Sequence, residues 1–309
     1  MNCIKYFEIV RDVIEPIIEN IITSRCISRE EACEKIQEYL RIIHDEYYKK
    51  RQPNIPYSDP LCRIAYLYWT VPINASLVEL VFEKDPEIED YLDYTQYKNN
   101  KVNICSFGGG PGTELLGLAK RIEKRRWDGS LINEQIWLNY RILDKINEWQ
   151  DSWTAISQQI ESRLEGPFGS NRSNWPFVLQ GNHSMIDITD LANFGRWGNL
   201  FGQDIHILSY VISEVFDDAK KLRRFIAEMA KYAPDGAKFV FIERTEERWQ
   251  KEIKETAEEA GLTLSDFLHK SNGRIDPEEE KTDLGRIYSE LKWEPRLKYD
   301  AFWVVGTKE

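Results

Sequence analysis

Apolar residues recur at helical spacing through the start of the chain. Ile4, Phe7, Ile9, Val10 and Ile14, then Ile36, Tyr39, Leu40 and Ile43, predict two amphipathic helices. Between them Ser28 and Glu31 stand at the spacing of a capping box that opens the second helix. The stretch Arg51 to Pro60 contains three prolines and interrupts the pattern, so the boundary between an N-terminal helical element, residues 1–58, and a main domain, residues 59–309, is placed there. Asp59 to Phe82 is aromatic and apolar, and Pro72 is expected to split it into two short helices. No apolar run is long enough to span a bilayer.

Beyond residue 100 the period changes. Val102, Ile104, Cys105 and Phe107 read as a short buried strand, glycines follow at 108, 109, 110 and 112, and Leu115, Leu116, Leu118 and Ala119 open the apolar face of a helix. Further strands are expected at Ile136 to Asp144, Phe177 to Gln180, Asp204 to Tyr210, Lys238 to Ile242 and Lys298 to Lys308. Helices are expected at Asn147 to Ile160 and Asp217 to Tyr232, a loop at Arg163 to Pro176, and a polar helical stretch from the fifth strand to the vicinity of Leu291. Strands alternating with helices predict an α/β fold with a doubly wound, mostly parallel sheet. Ligands of such sheets lie beyond the carboxyl ends of the strands. The glycine turn, Asp144, Asp187 and the Ser209 region all fall at those ends.

Charge narrows the partners. Against 41 Lys and Arg stand 52 Asp and Glu, a net charge of −11, which argues against a general nucleic-acid-binding or membrane-adhering surface. The densest basic group, Lys120, Arg121, Lys124, Arg125 and Arg126, reads as the solvated face of the helix after the glycine turn. Five scattered cysteines with no C-x-x-C spacing imply reduced thiols, and four histidines with no H-x-x-x-H pair support no metal site. Charges interrupt the N-terminus every few residues, unlike a signal peptide, so the expected location is the cytoplasm.

Spacing separates three kinds of nucleotide loop. A phosphate-cradling P-loop needs Lys and Ser or Thr after its last glycine, where Leu118 and Ala119 stand. A dinucleotide fingerprint needs a third glycine where Thr113 stands. The spacing that fits is G-x-G-x-G, at Gly108, Gly110 and Gly112, with Pro111 stiffening the turn.

In this spacing the stretch resembles the first motif of the class I S-adenosylmethionine-dependent methyltransferases, and the resemblance extends from Val102 to Glu309. It implies S-adenosyl-L-methionine as cofactor, cradled by Phe107, Gly108, Gly109, Gly110, Pro111, Gly112, Thr113 and Glu114. Asp144 stands where the family takes the ribose hydroxyls, and a carboxylate beside vicinal hydroxyls accepts two charge-assisted hydrogen bonds. Asp187 is the candidate beside the adenine amino group, with Asp190 as a rival that also reads as a helix N-cap. Ser209 and Tyr210 border cofactor and substrate; with Glu214 they are expected nearest the methyl group, and His183 and Asp217 further away. The terminal LKYDAFWVVGTKE looks like the family's antiparallel hairpin. In one departure, Ser106 replaces the acid that holds the methionine amino group; Glu114 either compensates or is an acid favoured in a first helical turn. Trp149 and Trp153 either stack on adenine or fill the core, and Tyr66, Tyr68 and Trp69 either fill the core or wall a substrate cleft.

The resemblance implies methyl transfer to an unidentified acceptor, a small molecule, a protein or an RNA. The RNA option follows from YLYWTVPINASLVEL and SYVISEV, which resemble the small-subunit ribosomal methyltransferase-like group. No run of the N-P-P-Y type is present, so no catalytic residue is assigned. Two alternatives stand beside this reading: a catalytically silent cofactor-binding or structural subunit on the same fold, motivated by Ser106, and a nicotinamide-dependent oxidoreductase, motivated by the glycine turn and Asp144.

Overall fold

The computed structural model describes residues 3–49, 55–95, 100–127, 129, 135–190 and 202–309. Among the described residues, four helices precede the first strand: α1 (Tyr6–Arg25), α2 (Arg29–Lys49), α3 (Pro60–Lys84) and α4 (Pro86–Thr95). The capping box at the start of α2 is reciprocal. The Ser28 N–H donates to Glu31 Oε2 at 2.6 Å, and the Glu31 N–H donates to Ser28 Oγ at 3.1 Å.

Pro72 does not divide α3, which continues through it for 25 residues and is capped by Asp59, whose carboxylate accepts the Leu61 N–H. The proline removes the helical donor to the Tyr68 carbonyl and crowds the preceding turn, and next to it the Trp69 carbonyl accepts the Arg296 N–H at 3.3 Å. Nearly every side chain from Leu61 to Phe82 is buried, so packing holds the helix together where local propensity favours a break. Joined in this way, α3 is long and apolar enough to cross a membrane, contrary to the reading of the sequence; 89% of its apolar window is buried within the fold.

Among the described residues, eight strands form one sheet in the order β3-β2-β1-β4-β5-β8-β6, with β7 also paired to β8. They are β1 (Lys101–Phe107), β2 (Ile136–Asp144), β3 (Phe177–Met185), β4 (Ile205–Ser209), β5 (Lys238–Arg244), β6 (Leu262–Leu264), β7 (Leu268–Arg274) and β8 (Lys298–Lys308). The pairs among β1 to β5 are parallel, whereas β8 runs antiparallel to β5, β6 and β7. Between strands lie α5 (Thr113–Trp127), α6 (Trp149–Phe168), the single turn α7 (Val211–Glu214), α8 (Ala219–Tyr232), α9 (Glu247–Ala260) and the short α10 (Arg286–Leu291).

Two expectations are corrected. The segment after β5 is not helical to Leu291, because β6 and β7 interrupt it. Their residues are largely exposed and lack an apolar period; pairing with β8 makes them strands. Arg163 to Phe168 is not loop but the last turns of α6, where buried Leu164 continues the stripe of Ile156 and Ile160.

The sheet alternates between two cores. On β5 and β8, Val240, Ile242, Ala301, Trp303 and Val305 join a core shared with α1, α2, α3, α5 and α6. Phe239, Phe241, Phe302 and Val304 face α8 and α9 on the other side. Strand order turns back between β1 and β4, where a crevice opens at the strand carboxyl ends.

Candidate functional site

The chain leaves β1 through a turn in which Gly108, Gly110 and Gly112 have φ of 59°, 47° and 84°, a region that glycine enters without steric cost. A Cβ at Gly109 would lie 2.5 Å from Ser106 Oγ, and one at Gly112 would lie 2.1 Å from Trp153 Cε3. The turn therefore carries bare backbone into the crevice while its back packs against β1 and α6.

Asp144, at the carboxyl end of β2, braces this turn. Its Oδ2 accepts the Gly110 N–H at 2.9 Å and its Oδ1 accepts the Ile146 N–H at 2.8 Å. Burial pushes its pKa up, and these backbone hydrogen bonds oppose the rise. A carboxylate offers about four lone-pair sites. Acceptor capacity therefore remains beside the crevice.

Two cavities meet at Gly108. The first, about 470 Å³, lies against Gly110, Asp144, Lys145, Ile146, Trp149, Ile186, Asp187, Ile188, Thr189 and Val211. The second, about 510 Å³, lies against Gly109, Thr113, Glu114, Ser209, Tyr210, Arg244, Asn272, Arg296 and Lys298. Tyr47, Tyr66, Gly108 and Glu214 line both. The carboxyl ends of β1 to β5 all contribute, which is the convergence expected from topology.

Among the other residues singled out in the sequence, Asp187 borders the first cavity and Asp190 neither cavity. Asp187 is committed in part to its own loop, since Oδ1 accepts the Thr189 N–H at 2.8 Å and its hydroxyl at 2.7 Å. Any helix that Asp190 would cap begins outside the described residues. Phe107 is buried in the core below the turn, and neither it nor Pro111 lines a cavity. His183 and Asp217 line neither cavity.

The aromatic pairs divide. Trp149 walls the first cavity beside Tyr57 and Tyr66, with ring centroids 5.0 and 5.3 Å away. Trp153 is core, edge-on to Tyr140 at 4.6 Å. Tyr66 and Trp69 face the crevice, whereas the buried Tyr68 donates its hydroxyl proton to the Trp293 carbonyl at 2.5 Å.

The basic run on α5 is not a solvated face. Lys120 is fully buried, 2.6 Å from Glu279 and 3.2 Å from Asp276, and Lys124 pairs with Glu79 and Asp276. Glu279 also accepts the Tyr6 and Phe7 N–H groups, and Glu123 those of Cys3 and Ile4. The run ties α5 to the start of α1, to α3 and to the segment before β8.

Three carboxyl groups stand out. Glu114, in the first turn of α5, is buried with Oε2 unpartnered, as is the Ser106 hydroxyl. Desolvation raises its pKa to about 7. Glu214 accepts the Tyr47 hydroxyl at 3.1 Å and is also raised to about 7 by desolvation. Glu243, wholly buried on β5, is raised to about 8 by desolvation. Tyr210 leaves β4 with φ 60° and ψ 8°, a left-handed conformation that strains a bulky residue.

Sequence reasoning missed Tyr47, Ile55 and Tyr57 before the sheet, and Arg244, Asn272, Arg296 and Lys298 near its end. Arg244 was accessible to the rule that located Asp144, since it ends β5. The others carry no local signal.

No protein-family model matches the sequence, and no curated protein matches it. Solved structures similar to this chain include an O-methyltransferase family protein from Burkholderia thailandensis, at 13% identity and TM-score 0.43, with 89% of this chain and 71% of that one covered. A SAM-dependent methyltransferase from Methanosarcina mazei matches at 12% identity and TM-score 0.41, with 72% of this chain and 97% of that one covered. The [4+2]-cyclase SpnF matches at 12% identity and TM-score 0.40, with 76% and 80% covered.

Proposed function

We propose that this chain is an S-adenosylmethionine-dependent methyltransferase whose cofactor lies across the glycine turn. The observation that carries the reading is the pair of acceptor sets on either side of Gly108. Asp144 keeps acceptor capacity beyond its backbone bonds, as vicinal ribose hydroxyls require. Across the turn, Glu114 Oε2 and Ser106 Oγ are buried acceptors without partners, which an ammonium group would satisfy. In this reading Glu114 supplies the charge that Ser106 lacks. Trp149 offers a wall for a flat ring and Asp187 a carboxylate near its edge.

The bound cofactor would supply a methyl group on a positively charged sulfur, open to in-line attack. The protein's task is then to hold the acceptor at near-attack distance and exclude water. Glu214, on the border of the two cavities, takes the proton that a hydroxyl or amine acceptor releases as its bond to carbon forms and the carbon–sulfur bond breaks.

Calorimetry with S-adenosylhomocysteine tests the reading. The wild type should bind, Asp144→Ala should bind on the order of 100-fold more weakly from the loss of two charge-assisted bonds, and Glu114→Gln should weaken binding with the melting temperature retained. No binding by the wild type, or preferential binding of a nicotinamide dinucleotide, overturns it.

A further inference from the structure

The second cavity has an electrostatic character that the cofactor does not explain. In a chain of net charge −11, Arg244 and Arg296 both line this cavity, and neither has an ion pair among the described residues. Arg244 lies over the Tyr47 ring, 5.8 Å from its centroid, and Arg296 donates its Nε–H to the Lys298 carbonyl at 3.2 Å and stands against the Tyr210 hydroxyl. Lys298 stands at the exposed rim.

The acids nearby do not neutralise them. Glu246 pairs with Arg248 at 2.6 Å, Asp300 is exposed to solvent and accepts the Asn272 N–H at 2.7 Å, and Glu243, behind Arg244, is bonded to the Ser213 hydroxyl at 3.0 Å. Glu114 is directed at the cofactor's ammonium group in the methyltransferase reading, and Glu214 accepts the Tyr47 hydroxyl at 3.1 Å. A half-buried guanidinium without a counterion keeps a fork of donors that a carboxylate or phosphate fits with two parallel hydrogen bonds. Trp69 and Tyr299 beside it supply apolar area for a ring or short chain.

We propose that the methyl acceptor carries an anionic group, a carboxylate or a phosphate, held between Arg244 and Arg296, which directs its reactive atom toward Gly108 and Glu214. The assignment of this anion to the acceptor rests on the methyltransferase reading; the anion site itself does not.

The test titrates benzoate, phenyl phosphate and the neutral isostere benzamide into protein with and without saturating S-adenosylhomocysteine, by ligand-observed NMR. At least one anion should bind about tenfold more tightly than benzamide; which one does so separates the carboxylate from the phosphate source. Arg244→Gln and Arg296→Gln should each remove most of that preference, leave benzamide unchanged and keep S-adenosylhomocysteine affinity within about twofold. Should either variant prove unfolded by its melting curve, Lys298→Gln at the exposed rim and the salt dependence of the preference replace it. Equal binding of benzamide and both anions overturns the proposal, as does a loss of S-adenosylhomocysteine affinity in the arginine variants matching their loss of anion affinity. Arginine-dependent anion binding by a protein that does not bind S-adenosylhomocysteine would uphold the anion site and sink the methyltransferase reading.

Discussion

Glu214 borders both cavities, and desolvation raises its pKa to about 7, the range in which a general base operates. It receives the Tyr47 hydroxyl from α2, faces Arg244 from the end of β5 and Asp144 and Lys145 from the end of β2, and desolvation outweighs these neighbours to hold its pKa near 7. A base works as the carboxylate, so kcat/KM should rise with pH through about 7, measured with the acceptor that a labelled-cofactor screen identifies. Glu214→Gln should lower kcat/KM by about 10²- to 10⁴-fold and remove that limb; a variant with an unchanged profile excludes the role. The sequence made Asp144 and the glycines legible because a strand end and a turn are local patterns. Arg296 and Tyr47 were not legible. Arg296 reaches the crevice through a main-chain bond to Trp69, and Tyr47 through a side chain meeting Glu214 from another layer.

At the scale of elements, partners decided what composition left ambiguous. Lysines and arginines on α5 have the composition of a wet surface, yet Lys120 is enclosed by Glu279, Asp276 and the Tyr6 ring, 4.4 Å from the ring centroid. Removing one member of a buried pair strands the other. Lys120→Met should therefore cost about 3–5 kcal/mol in urea denaturation, and Glu279→Gln should restore part of it in the double variant. An additive double variant would show that the pair is not coupled. Pro72 teaches the same lesson in the opposite sense. Proline reads as a helix stop, but a segment buried on all sides has no water to receive its backbone groups and stays helical. The edge strands β6 and β7 escaped detection because a strand defined by its neighbour needs no apolar alternation of its own.

At the scale of the molecule, Glu114, Glu214 and Glu243 are folded into low-dielectric surroundings and contribute to the pH dependence of stability above neutrality. Glu114 and Glu214 near 7 and Glu243 near 8 lie above the ordinary glutamate value, so the native state binds more protons than the unfolded chain between that value and about pH 8. Stability should thus fall as pH rises from about 6.5 to about 8, and the urea midpoint should be higher near pH 6.5 than near pH 8; below 6.5 the buried His206, lowered to about 3 by desolvation, acts in the opposite sense. The strongly depressed Asp276, at about 2, contributes its own loss only in more acid solution. Glu243→Gln should flatten the slope and raise stability at pH 8 by on the order of 1–3 kcal/mol; a slope unchanged in that variant would refute this source. The Ser213 hydroxyl lies 3.0 Å from both Glu243 and the Tyr210 carbonyl, and a protonated or amide side chain at 243 can donate to it. Periodicity, turn chemistry and strand-end position determined the alternating α/β order, the glycine turn and Asp144, because each is written within a few consecutive residues. Only the tertiary structure decided that α1 to α3 cover one sheet face, that the basic run of α5 lies inside, and that two unpaired arginines look into the crevice. Those outcomes depend on which distant side chains remove water from one another, and no local pattern encodes that.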